Sequence, residues 1–176
     1  MGEDKATIVF HGEPLWKRQL ERLRALTPER LFVSTRTKPS WLPHDIEVLL
    51  DDPPSRGPLT GLTKALAAMQ TSHLAVLAVD MPFMTTTQMQ IVWGLATMGC
   101  GVLPMIGDRA EPLAAIYPWE ARNDFSVALA GDDFSLQRLS WKLAEKGKLR
   151  VFDIAPADEE FYRNVNEPED LKEGRL

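Results

Sequence analysis

Apolar positions recur along this chain in blocks that alternate between helical and extended spacing. From Pro14 to Leu26, "PLWKRQLERLRAL", the residues Leu15, Trp16, Leu20, Leu23 and Leu26 share one broad face with charged residues opposite, which predicts an amphipathic helix with Pro14 in its first turn. "RLFVSTR" then predicts a short buried strand over Leu31 to Ser34. After a proline-rich connection, "DIEVLLDD" predicts a second strand, Ile46 to Leu50, running into Asp51 and Asp52. "GPLTGLTKALAAM" returns to helical spacing at Leu59, Leu62, Leu66 and Met69, and "HLAVLAVDMP" is an apolar run that stops at Asp80. Beyond it the pattern predicts a helix over 85 to 98, a strand near Gly101 to Met105 and a further strand in "EPLAAIYP". Helices follow in "WEARNDFSVALA" and "SLQRLSWKLAEKG", then a late strand in "LRVFDIA" and a capped helix start in "NVNEPEDLKEG".

Strands that are apolar along their whole length, separated by helices, are what a sheet covered on both faces requires, because neither face meets water. The prediction is therefore a doubly wound α/β fold: a mostly parallel sheet with helices on both faces. At 176 residues it forms one domain, 1–176. Ligands of such sheets gather at the carboxyl ends of the strands. Ser34, Asp51, Asp52 and Asp80 all fall at those ends.

Composition narrows the function. A net charge of -5 argues against general affinity for nucleic acid or an anionic membrane, while leaving room for an anion at a local site. The one cysteine, Cys100, has no internal disulfide partner, and no Cys and His stand at metal-ligand spacing, so a reducing cytoplasm is the expected setting. No apolar run approaches the roughly 18 residues of a membrane span, and the amino terminus carries no signal-peptide pattern. His11, His44 and His73 have no mutual spacing that suggests a metal site.

Several residues could carry chemistry, and each also has a plain structural reading. A carboxylate at the mouth of a buried strand, as at Asp80, suits Mg²⁺, which prefers one or two carboxylates with phosphate oxygens and water; Asp before a proline-containing turn is also a common turn residue. Asp51 and Asp52 could bind sugar hydroxyls or a metal, or simply form the "DDPP" turn. "GPLTG" leaves backbone N–H groups at the positive end of a helix dipole, which suits an anion or a closely approaching base. Gly-Pro is also an ordinary helix start. Lys5, close to Gly2, could neutralise phosphate or be merely solvated. Asn166 with Glu169 reads as a helix cap, which leaves Asn164 without a capping role. Neither a P-loop nor a nucleophile elbow is present.

Taken in order, "MGEDKA", "HGEPLW", "DDPPSRGPLTGL", "LAVLAVDMPFM", "EPLAAIY" and "NVNEPEDL" resemble the molybdenum cofactor guanylyltransferase family, which attaches GMP to molybdopterin. The resemblance runs from Met1 to about Leu171. It implies a nucleotidyltransferase fold resembling the nucleotide-diphospho-sugar transferases, and a cytoplasmic, Mg²⁺-dependent reaction of GTP with molybdopterin that releases pyrophosphate. Transient contact with other proteins of cofactor biosynthesis is also implied. Carried over to this sequence, it implies that Gly2 and Lys5 contact phosphate and that Ser34 lies near the nucleotide. Asp51, or Asp52 given an ambiguous gap, would contact the nucleotide as well. Gly57 and Gly61 would lie on the guanine side, with Asp80 as the Mg²⁺ ligand and Asn164 and Asn166 toward the acceptor. Lys5 and Asp80 are the implied catalytic residues.

The family pattern runs roughly "LAGGxSxRMGxDK", and only its tail, Met1 to Lys5, is found here. The resemblance thus implies that the first strand and its phosphate-cradling glycines are missing from this sequence, leaving two strands with unpaired edges around a gap. Three readings stay open. One is a guanylyltransferase whose true start lies upstream of Met1. Another is an N-terminally truncated, non-catalytic homologue acting as a binding module. The third is an enzyme of the same fold with another acceptor, such as a sugar phosphate.

Overall fold

The computed structural model describes residues 5–51 and 53–165. A short helical turn, Lys5–Thr7, leads into a small hairpin of β1 (Val9–Phe10) and β2 (Glu13–Pro14), and then into α1 (Leu15–Arg24). β3 (Phe32–Thr35) and β4 (Glu47–Leu50) pair in parallel, with Phe32 opposite Glu47 and Thr35 opposite Leu50. The chain crosses over through α2 (Pro58–Ala68) to β5 (His73–Ala75), and α3 (Thr86–Gly94) leads to β6 (Gly101–Ile106), β7 (Arg109–Ala110) and β8 (Ile116–Pro118). After α4 (Arg122–Ala130) and α5 (Leu136–Glu145) come β9 (Leu149–Asp153) and a final helical turn, Pro156–Tyr162. The larger sheet has the order β5-β8-β6-β7, with β9 also paired to β6.

β6 shows why its sequence is apolar throughout. Leu103 and Met105 point into a cluster with Leu59 and Leu66 of α2, Phe125 of α4 and Leu143 of α5. Val102 and Ile106 belong to the opposite face, where Met89 and Val92 of α3 and Leu23 near the end of α1 pack. Successive side chains of a strand point to opposite faces, so a sheet with helices on both sides has no position for a polar residue at its centre.

The expectation of a mostly parallel sheet needs correction. Pairs β3–β4 and β6–β9 are parallel, but β5–β8, β6–β8 and β6–β7 are antiparallel. The connections explain the difference. Only Gly107 and Asp108 separate β6 from β7, and β8 follows shortly after; segments this short return the chain antiparallel, whereas a parallel pair needs a long crossover. Apolar composition reports burial on both faces and carries no information on strand direction. The strand expected in "EPLAAIYP" is accordingly short, Ile116–Pro118, because residues 111–114 form a turn closed by Ala114 N–H donating to the Glu111 carbonyl (3.0 Å). The helix expected to start at Asn166 lies outside the described residues.

Among the described residues the β3–β4 pair and the larger sheet share no strand pairing. A cavity of about 740 Å³ separates them, lined on one side by β3 and on the other by residues 74–79.

Two buried tyrosines make stability depend on alkaline pH. Tyr117 donates its hydroxyl to the Pro112 carbonyl at 2.8 Å, and Tyr162 accepts from Gln88 Nε2 at 3.0 Å. Burial raises the pKa of Tyr117 well above the ordinary tyrosine range and that of Tyr162 to about 12. The unfolded chain ionises its tyrosines near pH 10, and the folded state resists that ionisation. Stability from this source is thus full below about pH 10 and lost as pH rises through about pH 12. The urea midpoint is expected to fall between about pH 8 and about pH 11, and to fall less in Tyr117→Phe. An identical fall in that variant would show that Tyr117 is not responsible.

Candidate active site

Two groups of side chains stand beside the cavity, one at the ends of β3 and β4 and one in the turn at Val79 and Asp80 beyond β5, whose strand stops at Ala75 rather than running on to Asp80 as the apolar run predicts. In the first, Ser34 Oγ at the end of β3 donates to Asp51 Oδ1 at 3.3 Å, and Ser55 Oγ donates to Asp51 Oδ2 at 2.9 Å. The Asp51 carboxylate is thereby oriented by a hydroxyl on each oxygen. Gly61, buried on α2, lies against Ser34 so closely that a Cβ there would sit 2.1 Å from Ser34 Oγ. Gly57 has φ of 64° where the chain turns into α2, a backbone region open to glycine. The turn is closed by Thr60 N–H donating to the Gly57 carbonyl (3.1 Å) and by Arg56 N–H donating to Thr60 Oγ1 (2.9 Å). The "GPLTG" spacing thus brings Gly57 to the helix start and Gly61 against Ser34 one turn later.

The second group surrounds Asp80. Its Oδ2 lies 3.9 Å from Lys5 Nζ, and its backbone carbonyl accepts from Val165 N–H at 2.8 Å. That bond brings the exposed Asn164, next to Val165 in the chain, to the same turn. The loop is held from α1. Gln19 Nε2 donates to the carbonyls of Ala78 and Met81, each at 2.8 Å. Arg22 donates to Gln19 Oε1 at 2.6 Å and to the Pro82 carbonyl at 2.8 Å. Both side chains are buried; burial, with Arg18 nearby, lowers the Arg22 pKa to about 10, which leaves it charged at neutral pH. Carbonyls on both sides of Asp80 are therefore fixed by a charged, buried relay, and charge-assisted bonds of this kind are the strong ones.

Sequence reasoning missed Gln19 and Arg22, which pass for members of a solvated polar face. One signal was available: Gln19 stands four residues after Leu15 and four before Leu23, on the same side of the helix. Ser55 was also passed over, and nothing in "DDPPSRG" marks it until the turn brings it to Asp51. Glu111, quoted in "EPLAAIY" without a role, is buried with its carboxylate 2.6 Å from Arg109; burial raises its pKa and Arg109 opposes the shift.

Of the predicted site residues, Ser34, Asp51, Gly57 and Gly61 come together, as do Lys5, Asp80 and Asn164. Gly2, Asp52 and Asn166 lie outside the described residues. The cavity links the groups: Ser34, Asp51, Gly57 and Gly61 line it, as does Val79, the neighbour of Asp80. Among the described residues there is no cluster of three or more His, Cys, Asp or Glu side chains able to hold a metal ion, and no helix long and apolar enough to cross a membrane.

Residues 1–146 match the family model described as MobA-like NTP transferase domain. Over 175 residues the chain is 35% identical to the probable molybdenum cofactor guanylyltransferase of Opitutus terrae, with 97% of this chain and 86% of that protein covered. Among solved structures, the molybdopterin-guanine dinucleotide biosynthesis protein A of Archaeoglobus fulgidus superposes with a TM-score of 0.73 and 21% identity, over 97% of this chain and 88% of that one. A Mycobacterium tuberculosis protein, crystallised as a complex with manganese, superposes with a TM-score of 0.62 and 15% identity over 87% of this chain and 83% of that one.

Proposed function

This chain belongs to the MobA-like NTP transferase family and is a nucleotidyltransferase, and from that premise we propose that it transfers GMP from GTP to molybdopterin. An oxygen of the acceptor's terminal phosphate bonds to the α-phosphorus of GTP. The bond from that phosphorus to the bridging oxygen of the β-phosphate breaks, and the electron pair leaves with pyrophosphate. The observation that carries the reading is the Asp80–Lys5 pair at 3.9 Å, which sets a carboxylate and an ammonium side by side in the turn beyond β5.

The residues present fit a magnesium ion. Asp80 offers one partly exposed carboxylate, and magnesium needs only one or two when phosphate and water complete its shell. Asp80 would hold it, and the ion when bound would draw charge from the reacting phosphates. The manganese complex of the structural neighbour supports a divalent ion in this fold. Lys5 neutralises phosphate charge as a compact cation. Asp51, oriented by Ser34 and Ser55, accepts from nucleoside N–H or hydroxyl groups, while Gly61 lets Ser34 pack against the start of α2 on the guanine side. Asn164 faces the acceptor. The protein contributes positioning and charge neutralisation rather than covalent chemistry. GTP and molybdopterin are the partners of this reading, in the cytoplasm.

The test is nucleotidyl transfer to molybdopterin with Mg²⁺ and each nucleoside triphosphate in turn. GTP is expected to exceed CTP by at least about tenfold in kcat/KM. Preference for CTP or UTP, or transfer only to a sugar phosphate, would replace the reading with another donor or acceptor. No transfer with any triphosphate would favour a binding module.

A further inference from the structure

The two acids of the site are aimed in different ways. Asp51 is held through its own side chain, with one hydroxyl on each carboxylate oxygen, from Ser34 at 3.3 Å and from Ser55 at 2.9 Å. The Asp80 carboxylate accepts no hydrogen bond among the described residues, and Lys5 approaches it only to 3.9 Å. Its direction is therefore set by the backbone that carries it. That backbone lies where regular pairing has stopped: β5 ends at Ala75, and bonds of the same kind continue only to Ala78, whose N–H donates to the Leu113 carbonyl at 2.8 Å. Val79 and Asp80 form a turn beyond it.

One amide and one guanidinium of α1 take over from the ladder. The Gln19 Nε2 group donates to the carbonyls of Ala78, two residues before Asp80, and of Met81, one residue after it, each at 2.8 Å. A single planar group thus fixes the span of the turn. Arg22 fixes that group in its place: Nη1 donates to Gln19 Oε1 at 2.6 Å, and Nη2 donates to the Pro82 carbonyl at 2.8 Å. Turned over, the amide would set its oxygen against two carbonyl oxygens and its NH₂ against a guanidinium, which has no acceptor. Arg22 therefore selects the amide orientation that serves both carbonyls. Met84 N–H adds a bond to the Met81 carbonyl (3.3 Å), and Val165 N–H one to the Asp80 carbonyl (2.8 Å). Gln19 and Arg22 are buried, so a bond lost here is not returned by bulk water.

We infer that Gln19 and Arg22 are positioning residues for Asp80: they hold the turn in the form that aims its carboxylate at a divalent ion, and so set the affinity for that ion without touching it. This rests on the reading of Asp80 as the ligand of the ion. The probe is Mn²⁺, titrated with and without GTP and followed by water-proton relaxation in the full chain. Gln19→Glu keeps an acceptor for Arg22 but turns oxygen toward both carbonyls. It is expected to weaken Mn²⁺ binding by at least about tenfold, the scale for groups that orient a metal ligand from behind, while GTP affinity in EDTA changes by less than about twofold. Arg22→Lys keeps the charge, loses the planar fork and is the milder variant; it is expected to weaken Mn²⁺ binding by about threefold to tenfold, and it decides the matter if Gln19→Glu does not fold. Gly101→Ala, where a Cβ would meet the Ile116 carbonyl, controls for lost stability and is expected to leave Mn²⁺ affinity unchanged. Unchanged affinity in the relay variants, with Asp80→Ala abolishing binding, would overturn the inference and leave Asp80 as the ligand. A loss in Gly101→Ala equal to theirs would also overturn it, by reducing the relay to ordinary packing. Equal Mn²⁺ binding by the parent chain and Asp80→Ala would overturn the metal reading of Asp80 and this inference with it.

Discussion

Replacing Asp80 by alanine is expected to abolish Mg²⁺-dependent nucleotide binding and to lower transfer by about a thousandfold or more, the scale seen when a charged group aimed at a reacting centre is lost. The side chain pairs with Lys5 at 3.9 Å, a partly exposed pair that adds little to stability. The structural duties of the residue fall on its backbone: its carbonyl accepts from Val165 N–H, and the adjoining carbonyls are bonded by Gln19 and Arg22. Alanine retains all of these bonds, so the variant is expected to fold. Titration calorimetry with GTP, with and without Mg²⁺, gives the answer; an unchanged Mg²⁺ dependence would remove Asp80 from the metal site. Asp51→Ala offers the contrast, since it is expected to weaken nucleotide binding with and without the ion alike.

The largest stability effect is expected at Gly101. A Cβ at this position would lie 1.9 Å from the carbonyl oxygen of Ile116 and 2.8 Å from its carbonyl carbon. Both atoms are backbone of β8, so no rotamer change relieves the clash. β6 pairs with β8 through Val102 and Ile116, immediately beside the contact. Gly101→Ala is expected to cost about 3 kcal/mol, at the upper end of overpacking effects, because the strands must move apart. The urea midpoint should fall with an unchanged slope. Gly94→Ala is the control, since a Cβ there meets nothing within 4 Å. Equal midpoints for the two variants would mean that β8 yields more easily than its position suggests.

Much of this molecule was legible before any contact was known. The helical spacing of Leu59, Leu62 and Leu66 is a local pattern that corresponds to α2, whereas of the apolar run ending at Asp80 only its start forms a strand, His73–Ala75, and Asp80 stands in a turn beyond it. Ser34, Asp51 and Asp80 were picked out by their place at strand ends, and the structure leaves them beside one cavity or immediately next to it. The direction of β8 was not legible, because an apolar strand looks the same run either way. Gln19 and Arg22 were hidden for a different reason. Their partners Ala78 and Pro82 lie 59 and 60 positions away, and a polar residue facing a set of carbonyls resembles one facing water.

By itself the sequence determined the order of the main helices and strands, though not the short strands β1, β2 and β7, and it determined the family and the acidic and hydroxyl groups near the strand ends, since periodicity, turn residues and short motifs are all local. The tertiary structure decided which of those groups meet, which strands pair and how closely segments approach, as at Gly61 against Ser34 and Gly101 against Ile116. These depend on hydrogen bonds and packing between distant segments, which exist only once the chain has folded.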